Sequence, residues 1–356
     1  MTGDLSSFSG KRVLITGHTG FKGAWLSLWL KSLGATVYGY ALPPINDSSL
    51  FSQMDPQDVF ASSCFGDISN INQLREYLTF IKPEVIFHLA AQSFVNRSYA
   101  NPVETYATNV MGTINLLDVV RGVKSVKAVV IVSSDKCYEN QDWVWGYRES
   151  DPMGGFDPYS SSKGCVEILT SSFVRSFFKD SDTAIASARA GNVIGGGDWG
   201  ENRLVPDLIR ALWDGKPLIL RNPKSTRPWQ HVLEPLHGYL VLGNKLMHGG
   251  NVFSGGWNFG PDEIPCEVSR LAELFYEIAE GGSWETDESS KLHEASYLNL
   301  DCSKAKALLD WRPCWNLRKT VKETFAWYEA LRRQENVVQY SLGQIKDFEI
   351  DLSKLT

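Results

Sequence analysis

The chain has 356 residues, 43% of them hydrophobic and 21% charged, and a formal net charge of -6. This composition is ordinary for a soluble globular protein, and the length exceeds one typical core, so two lobes or one large lobe with an appendage are expected. The acidic balance gives no general attraction to nucleic acid, so an anionic ligand has to be held by local arginines and backbone amides.

Arg12–Thr16 reads as a buried strand, and a glycine-rich turn follows it at once. Lys22–Leu33 reads as a helix with Ala24, Leu26, Leu28 and Leu30 on its apolar face, and Thr36–Tyr40 as a second strand. Val85–Leu89 and Ala128–Val132 are further strands, each preceded by a helical stretch, Ile71–Ile81 and Val103–Val120. Tyr159–Phe178 reads as a long helix and Thr183–Ala188 as another strand. This alternation predicts right-handed βαβ units, a Rossmann-type doubly wound parallel sheet with helices on both faces. After Ala190 the rhythm breaks at Gly195–Gly200. Helices are expected at Leu204–Trp213, Leu236–Leu246, Val268–Ile278 and Leu317–Arg332, with brief strands at Leu218–Leu220, Trp257–Phe259 and Leu298–Leu300. The division expected is a dinucleotide-binding domain over 1–190 and a smaller mixed α/β substrate lobe over 191–356. The boundary is soft enough for elements of the second part to return to the first.

Gly17, Gly20 and Gly23 directly follow a strand and open a helix. Glycines there permit a tight turn and close approach of backbone to a pyrophosphate, and the helix start supplies free N–H groups. A dinucleotide fold usually ends its second strand on Asp or Glu, which holds the adenosine ribose. Here that strand runs Tyr38-Gly-Tyr-Ala-Leu-Pro-Pro44, with neither acid nor arginine, so it does not itself choose NAD or NADP. Asp67 and Ile68 are candidate contacts for the adenine edge.

Tyr159 and Lys163 are four apart on one helix and share a face. A free tyrosine titrates near ~10 and is a poor base at neutral pH. A neighbouring lysine, helped by a cationic nicotinamide ring, favours the phenolate. The pattern is weak alone. It gains force here because it follows the glycine turn, with Ser133-Ser134-Asp135-Lys136 between them.

The Gly17-x-x-Gly20-x-x-Gly23 spacing resembles the short-chain dehydrogenase/reductase superfamily, and the resemblance extends over nearly the whole chain. It is nearest the extended branch that acts on nucleotide sugars, through His88-Leu-Ala-Ala-Gln-Ser93, Thr105–Thr113 and Ala190–Trp199. Ser134-Asp135-Lys136-Cys-Tyr138, with Trp145–Glu149, Arg227–Val232, His293-Glu-Ala295, Tyr297 and Asp301–Ala305, resembles the 4,6-dehydratases that act on CDP-glucose. Epimerases of the branch lack the acid–base pair after the serine. Dehydratases for dTDP-glucose and GDP-mannose carry glutamate at the position of Lys136. Two small departures, Ser133 where threonine is commoner and Ser161 where asparagine often sits, touch no titrating group.

The resemblance implies an NAD-dependent hydro-lyase in three steps: oxidation at C4, loss of water across C5 and C6, and hydride return to C6. It gives Tyr159 as the base on the C4 hydroxyl and Lys163 as its partner and ribose contact. Ser134 would bond O4, and Asp135, kept protonated, would be the acid for the departing C6 hydroxyl. A base at C5 is also needed. Lys136 can serve only with a depressed pKa; the alternative is that it pairs with Asp135 or an enolate oxygen while another group takes the proton. Cofactor contacts are expected from Gly17, His18, Thr19, Gly20, Phe21, Lys22, Gly23, Asp67, Ile68, Leu89, Ala90, Ala91, Thr108, Val132, Tyr159 and Lys163. Substrate contacts are expected from Ser93, Ser134, Asn192, Arg203, Arg227 and Tyr297, the arginines meeting the diphosphate. Each arginine could equally form a surface ion pair, and His231 and His293 could line the nucleotide pocket or be ordinary core or surface residues. CDP-glucose is the expected partner and a homodimer or homotetramer the expected assembly. A different class, a catalytically idle dinucleotide-binding regulator, is disfavoured by Ser134, Asp135, Tyr159 and Lys163 all being in place.

The six cysteines are scattered without a CxxC pair, which reads as reduced thiols in a cytoplasmic protein. Cys137, beside the proposed site, is read as a small packing residue, with a reactive thiol as the alternative. No metal-ligand spacing occurs, so no metal is expected. The first dozen residues lack the apolar stretch of a signal peptide, and no run of ~18 apolar residues suggests a membrane span. Twelve tryptophans suit either a ligand-stacking surface or, for most of them, the core.

Overall fold

The structure, a computed structural model, describes residues 5–287 and 297–355. His293, Glu294 and Ala295 lie outside the described residues.

The main sheet is built from β1 (Arg12–Thr16), β2 (Thr36–Ala41), β3 (Phe60–Phe65), β4 (Val85–His88), β5 (Ala128–Val132), β6 (Ala184–Ala190) and β7 (Gly255–Phe259). Its order is β7-β6-β5-β4-β1-β2-β3, and every neighbouring pair is parallel. The central strands β1, β4 and β5 are rich in Val and Ile because both faces of the sheet are covered there. In β1, Val13 and Ile15 face one core and Leu14 the other. The first core takes in α1 (Phe21–Ser32), through Trp25 and Trp29. The second contains α2 (Ile71–Ile81), α3 (Gly112–Val120) and the tyrosine helix α4 (Pro158–Phe173), through Leu74, Leu78, Leu116, Leu117 and Val166.

The order reverses between β1 and β4, and such a switch point opens a crevice at the carboxyl ends of the strands. The glycine turn after β1 and the Leu89–Ala91 segment after β4 meet there. A Cβ on Gly17 would lie 2.7 Å from the Ala90 nitrogen, and Gly17 has φ of +77°, so only glycine fits. A Cβ on Gly23 would lie 2.2 Å from the Gly17 carbonyl oxygen.

The boundary was read as soft, and two elements of the second part do return to the first: Trp257–Phe259 adds to the main sheet beside β6, and α6 (Leu233–Gly249, after α5 at Leu204–Asp214) packs against the sheet with it. The expected strand at Leu298–Leu300 is reduced to a bridge between Tyr147 and Leu300. Among the elements that were not anticipated, two bear on the sheet and its packing. One is β3, whose Ser62-Ser63-Cys64 centre carries no apolar alternation. The other is the helix Val337–Ser353, on which Glu349 accepts a 2.7 Å bond from Trp29 Nε1.

Candidate active site

The tyrosine helix starts with a well-formed cap. Asp157 accepts from the Ser160 amide at 2.9 Å and the Ser160 hydroxyl at 2.6 Å, with Pro158 in the first turn. Such a cap is worth ~1 kcal/mol and holds Tyr159 in the opening turn. Ser134 caps a short turn, Asp135–Cys137, after β5: its Oγ accepts from the Lys136 amide at 3.2 Å and donates to Asp135 Oδ1 at 3.0 Å. Ser134, Asp135, Tyr159 and Lys163 are all buried.

The electrostatics follow from that burial. Burial pushes the Tyr159 phenol up to about 12, opposed by a hydrogen bond with Ser134, and reinforced by Asp135 while Arg203 pulls it down. Burial likewise raises the Asp135 carboxyl, against the pull of Lys136, the Ser134 hydrogen bond, Arg227 and Lys22. Its Oδ2 is buried without a partner. Burial therefore favours the protonated carboxyl of Asp135 more than water would. Burial lowers Lys163 to about 8, with Glu167 the largest opposing influence. The Lys163 ammonium donates to the Val132 carbonyl at 3.2 Å. Burial thus dominates the phenol, and the lowering needed for base catalysis requires further positive charge, such as a cationic ring, beside it.

The residues fit a dinucleotide. The start of α1 has Gly20 as its cap with no side-chain hydrogen bond, and the first amides of a helix have no intrahelical partner. Phe21 lies at this start. Thr19 Oγ1 donates to the Leu42 carbonyl at 2.9 Å. His18 departs from expectation: its ring is buried between Phe51 and Phe60, bonded to Ser63 Oγ at 2.8 Å, and burial lowers it to about 4. Its side chain belongs to the core. Lys22 Nζ donates to the Tyr239 hydroxyl at 3.3 Å, and burial, with the charges of Arg203 and Lys163, lowers it to about 7. Lys22 thus points toward the tyrosine side of the site. In place of a ribose-binding acid, the β2 end carries Tyr40, whose hydroxyl donates to the Asp67 carbonyl at 3.0 Å. Asn115 holds the Ile68 carbonyl at 3.2 Å. Leu89 and Ala90 amides bond to Thr16, Ala91 follows them, and Thr108 is half-buried on the widened turn Ala107–Met111.

On the substrate side, Arg203 pairs with Asp198 at 2.9 Å and donates to Ser93 Oγ at 3.1 Å. Arg227 is buried and donates to the Thr226 carbonyl at 2.8 Å, within electrostatic range of Asp135. The Asn192 carbonyl accepts from the Gln230 amide at 3.0 Å. Tyr297 is not brought to this cluster; it sits against the Asn140–Val144 loop, its hydroxyl 3.5 Å from the Val144 carbonyl. His231 is core, its ring 4.8 Å from that of Trp315 and its pKa lowered to about 3 by burial. Cys137 is fully buried, and burial holds its thiol well above the usual range, as befits a packing residue. Trp25, Trp29, Trp257, Trp311 and Trp327 are core residues, whereas Trp145 is exposed. Among the described residues no cluster of His, Cys, Asp or Glu could hold a metal ion, and no helix is long and apolar enough to cross a membrane.

Several contributors carried little sequence signal. Asn109 holds the Gln92 amide at 2.8 Å and carbonyl at 3.0 Å, and donates to Ser162 Oγ at 2.8 Å, fixing the post-β4 loop to α4. Asp198 orients Arg203. Tyr239 emerges from a helix whose pattern reads only as apolar.

A parallel sheet in this order, with a glycine cradle at its switch point and a buried Ser–Asp–Tyr–Lys group beside it, defines a dehydrogenase/reductase-type enzyme built for nucleotide sugars. The family model described as GDP-mannose 4,6 dehydratase matches residues 14–258. The chain is 49% identical over 352 residues to CDP-glucose 4,6-dehydratase of Salmonella typhimurium, covering 97% of this chain and 98% of that protein. Among solved structures, dTDP-glucose 4,6-dehydratase of Streptomyces venezuelae with NAD bound superposes with a TM-score of 0.78 at 24% identity, covering 92% and 99% of the two chains. An epimerase of Methanothermobacter thermautotrophicus superposes with a TM-score of 0.81 at 23% identity, covering 96% and 98%. The chain belongs to the nucleotide-sugar 4,6-dehydratase family.

Proposed function

We propose that the protein dehydrates CDP-D-glucose to CDP-4-dehydro-6-deoxy-D-glucose, using NAD held in the glycine cradle. The observation that carries this reading is the convergence of Tyr159 and Ser134 with a buried Asp135 whose second carboxyl oxygen is unpartnered. The 49% identity along nearly the whole of both chains to the Salmonella CDP-glucose enzyme supports cytidine as the base.

NAD, when bound, supplies the acceptor and later the donor of the hydride. Tyr159 takes the proton of the C4 hydroxyl, and Ser134 bonds O4 as it becomes a carbonyl. The ketone acidifies the C5 hydrogen. Lys136 removes that proton, and Asp135 gives its own to the C6 oxygen, which leaves as water as the C5–C6 double bond forms. Hydride then adds at C6 and Lys136 returns a proton to C5, while the proton collected by Tyr159 replaces the one Asp135 gave. Arg203 and Arg227 hold the diphosphate, Asn192 borders it, and Ser93 meets the glucose. The enzyme works in the cytoplasm as a homodimer or homotetramer; the unpaired, scattered cysteines support that compartment.

Incubation with CDP-, dTDP-, UDP- and GDP-glucose tests the substrate: 4-keto product is expected with the CDP sugar, and product only with another base would move the assignment. CDP-glucose deuterated at C4 should yield product deuterated at C6 without net NADH. Deuterium lost to solvent, or stoichiometric NADH, would contradict a dehydratase.

Lys136→Met keeps most of the apolar stem and deletes the amine. C4 should still be oxidised, but exchange of the C5 hydrogen with D2O should slow at least ~10²-fold. Unchanged exchange per bound substrate would remove Lys136 from the role of base.

A further inference from the structure

Beneath the tyrosine helix lies a buried group of charges that the steps above do not use. Glu167 stands one helical turn beyond Lys163, on the same face of α4. Its Oε2 accepts from Ser187 Oγ at 2.6 Å and from Arg189 Nη2 at 2.7 Å, both on β6. Its Oε1 is buried with no hydrogen-bond partner. The Arg189–Glu167 ion pair is almost wholly dehydrated, with side-chain exposures of 5% and 4%. Arg189 also donates to the Tyr138 hydroxyl at 2.6 Å, so the pair is tied to the turn that carries Asp135 and Lys136.

We propose, resting on the function above, that Glu167 is a positioning residue: clamped by Arg189 and Ser187, its carboxylate is the counter-ion that keeps the Lys163 ammonium charged beside Tyr159. The surroundings of Lys163 leave few other candidates. From β4 comes His88, held neutral between Thr16 and Thr113, its pKa lowered to about 3 by burial and by Lys163. From α1 comes Lys22, a like charge, and from the turn after β5 comes Cys137, whose thiol stays protonated. Tyr159 lies one turn earlier on α4, and Arg189 is held by Glu167 itself. Glu167 is the largest influence opposing the dehydration of Lys163. Removing it would leave Lys163 and Arg189 as two buried cations with no anion between them, and Lys163 would shed its proton first because a guanidinium does not.

The test is the pH dependence of kcat/KM for CDP-glucose. Loss of an opposite charge from within ~4–6 Å shifts a pKa by about 1–3 units. In Glu167→Gln the alkaline limb should therefore move down by at least about one unit, with the loss of kcat greatest above neutrality and KM little changed. A limb that stays in place, whatever the overall activity, overturns the proposal, since a purely structural role would lower activity evenly across pH. Glu167→Asp keeps the charge but withdraws it by one methylene, so a smaller downward shift is expected. If the glutamine variant does not fold, an unmoved limb in the aspartate variant is equally decisive. Absence of wild-type product from CDP-glucose would instead count against the function, whereas normal wild-type turnover with unmoved limbs would sink this inference alone.

Discussion

Tyr159→Phe should lower kcat by about 10²–10⁴-fold, the usual worth of a positioned general base, with substrate binding and thermal stability nearly unchanged. The substitution deletes one hydroxyl from a ring whose packing in the first turn of α4 is set by the Asp157 cap and Pro158. The phenol is buried and held near 12 by dehydration, so it becomes a base only when cationic groups gather around it. The loss should appear in the first half-reaction, as missing reduced-cofactor absorbance on mixing with substrate. A variant that keeps more than a tenth of wild-type turnover at saturating substrate would place the base elsewhere.

Asp135→Asn should fail differently. The amide matches the carboxyl in shape and can still accept from Ser134, but it has no proton to give a leaving hydroxide. Oxidation at C4 should proceed and elimination should stall, so the 4-keto-glucose nucleotide and reduced cofactor should accumulate. Final product should form about 10²–10⁴-fold more slowly. Burial is the largest influence raising the Asp135 carboxyl, so the wild-type acid should remain effective above the ordinary carboxylate range. A variant showing no change in cofactor absorbance on mixing would exclude Asp135 as the acid for this step.

The parts of the fold that were readable in the sequence are those governed by local pattern. Val13-Leu-Ile15 and Ala128–Val132 announce buried parallel strands, and the helix Leu317–Arg332 falls where its periodicity predicts. What was missed is non-local. Trp257–Phe259 looks like any short strand, and nothing in its own residues says that its neighbour is β6. The Val337–Ser353 helix is stabilised by Phe348 packing on Trp29, whose centroid is 5.7 Å away, a contact across the whole chain. In the site, the spacing of Tyr159 and Lys163 and the company of Ser134 and Asp135 marked these four as candidates, and the fold buries all four. Their titration was not legible. Dehydration depends on everything that surrounds a side chain, which is why the phenol stands high, Lys163 stands low, and Glu167 and Arg189 went unnoticed. His18 shows the converse: a residue inside the motif whose ring serves the core.

The position of β7 carries a consequence for the nascent chain. Every residue of β6 is buried, yet its second hydrogen-bonding neighbour is encoded well downstream, beyond α5 and α6. While the ribosome is still making that intervening stretch, the β6 edge presents unpaired N–H and C=O groups on an apolar strand, the kind of template on which chains associate wrongly. The sheet that bears Tyr159 and the glycine cradle is thus sealed by one of the later strands to be synthesised, and the interval before Gly255–Phe259 emerges is when this protein is most dependent on being shielded from its neighbours.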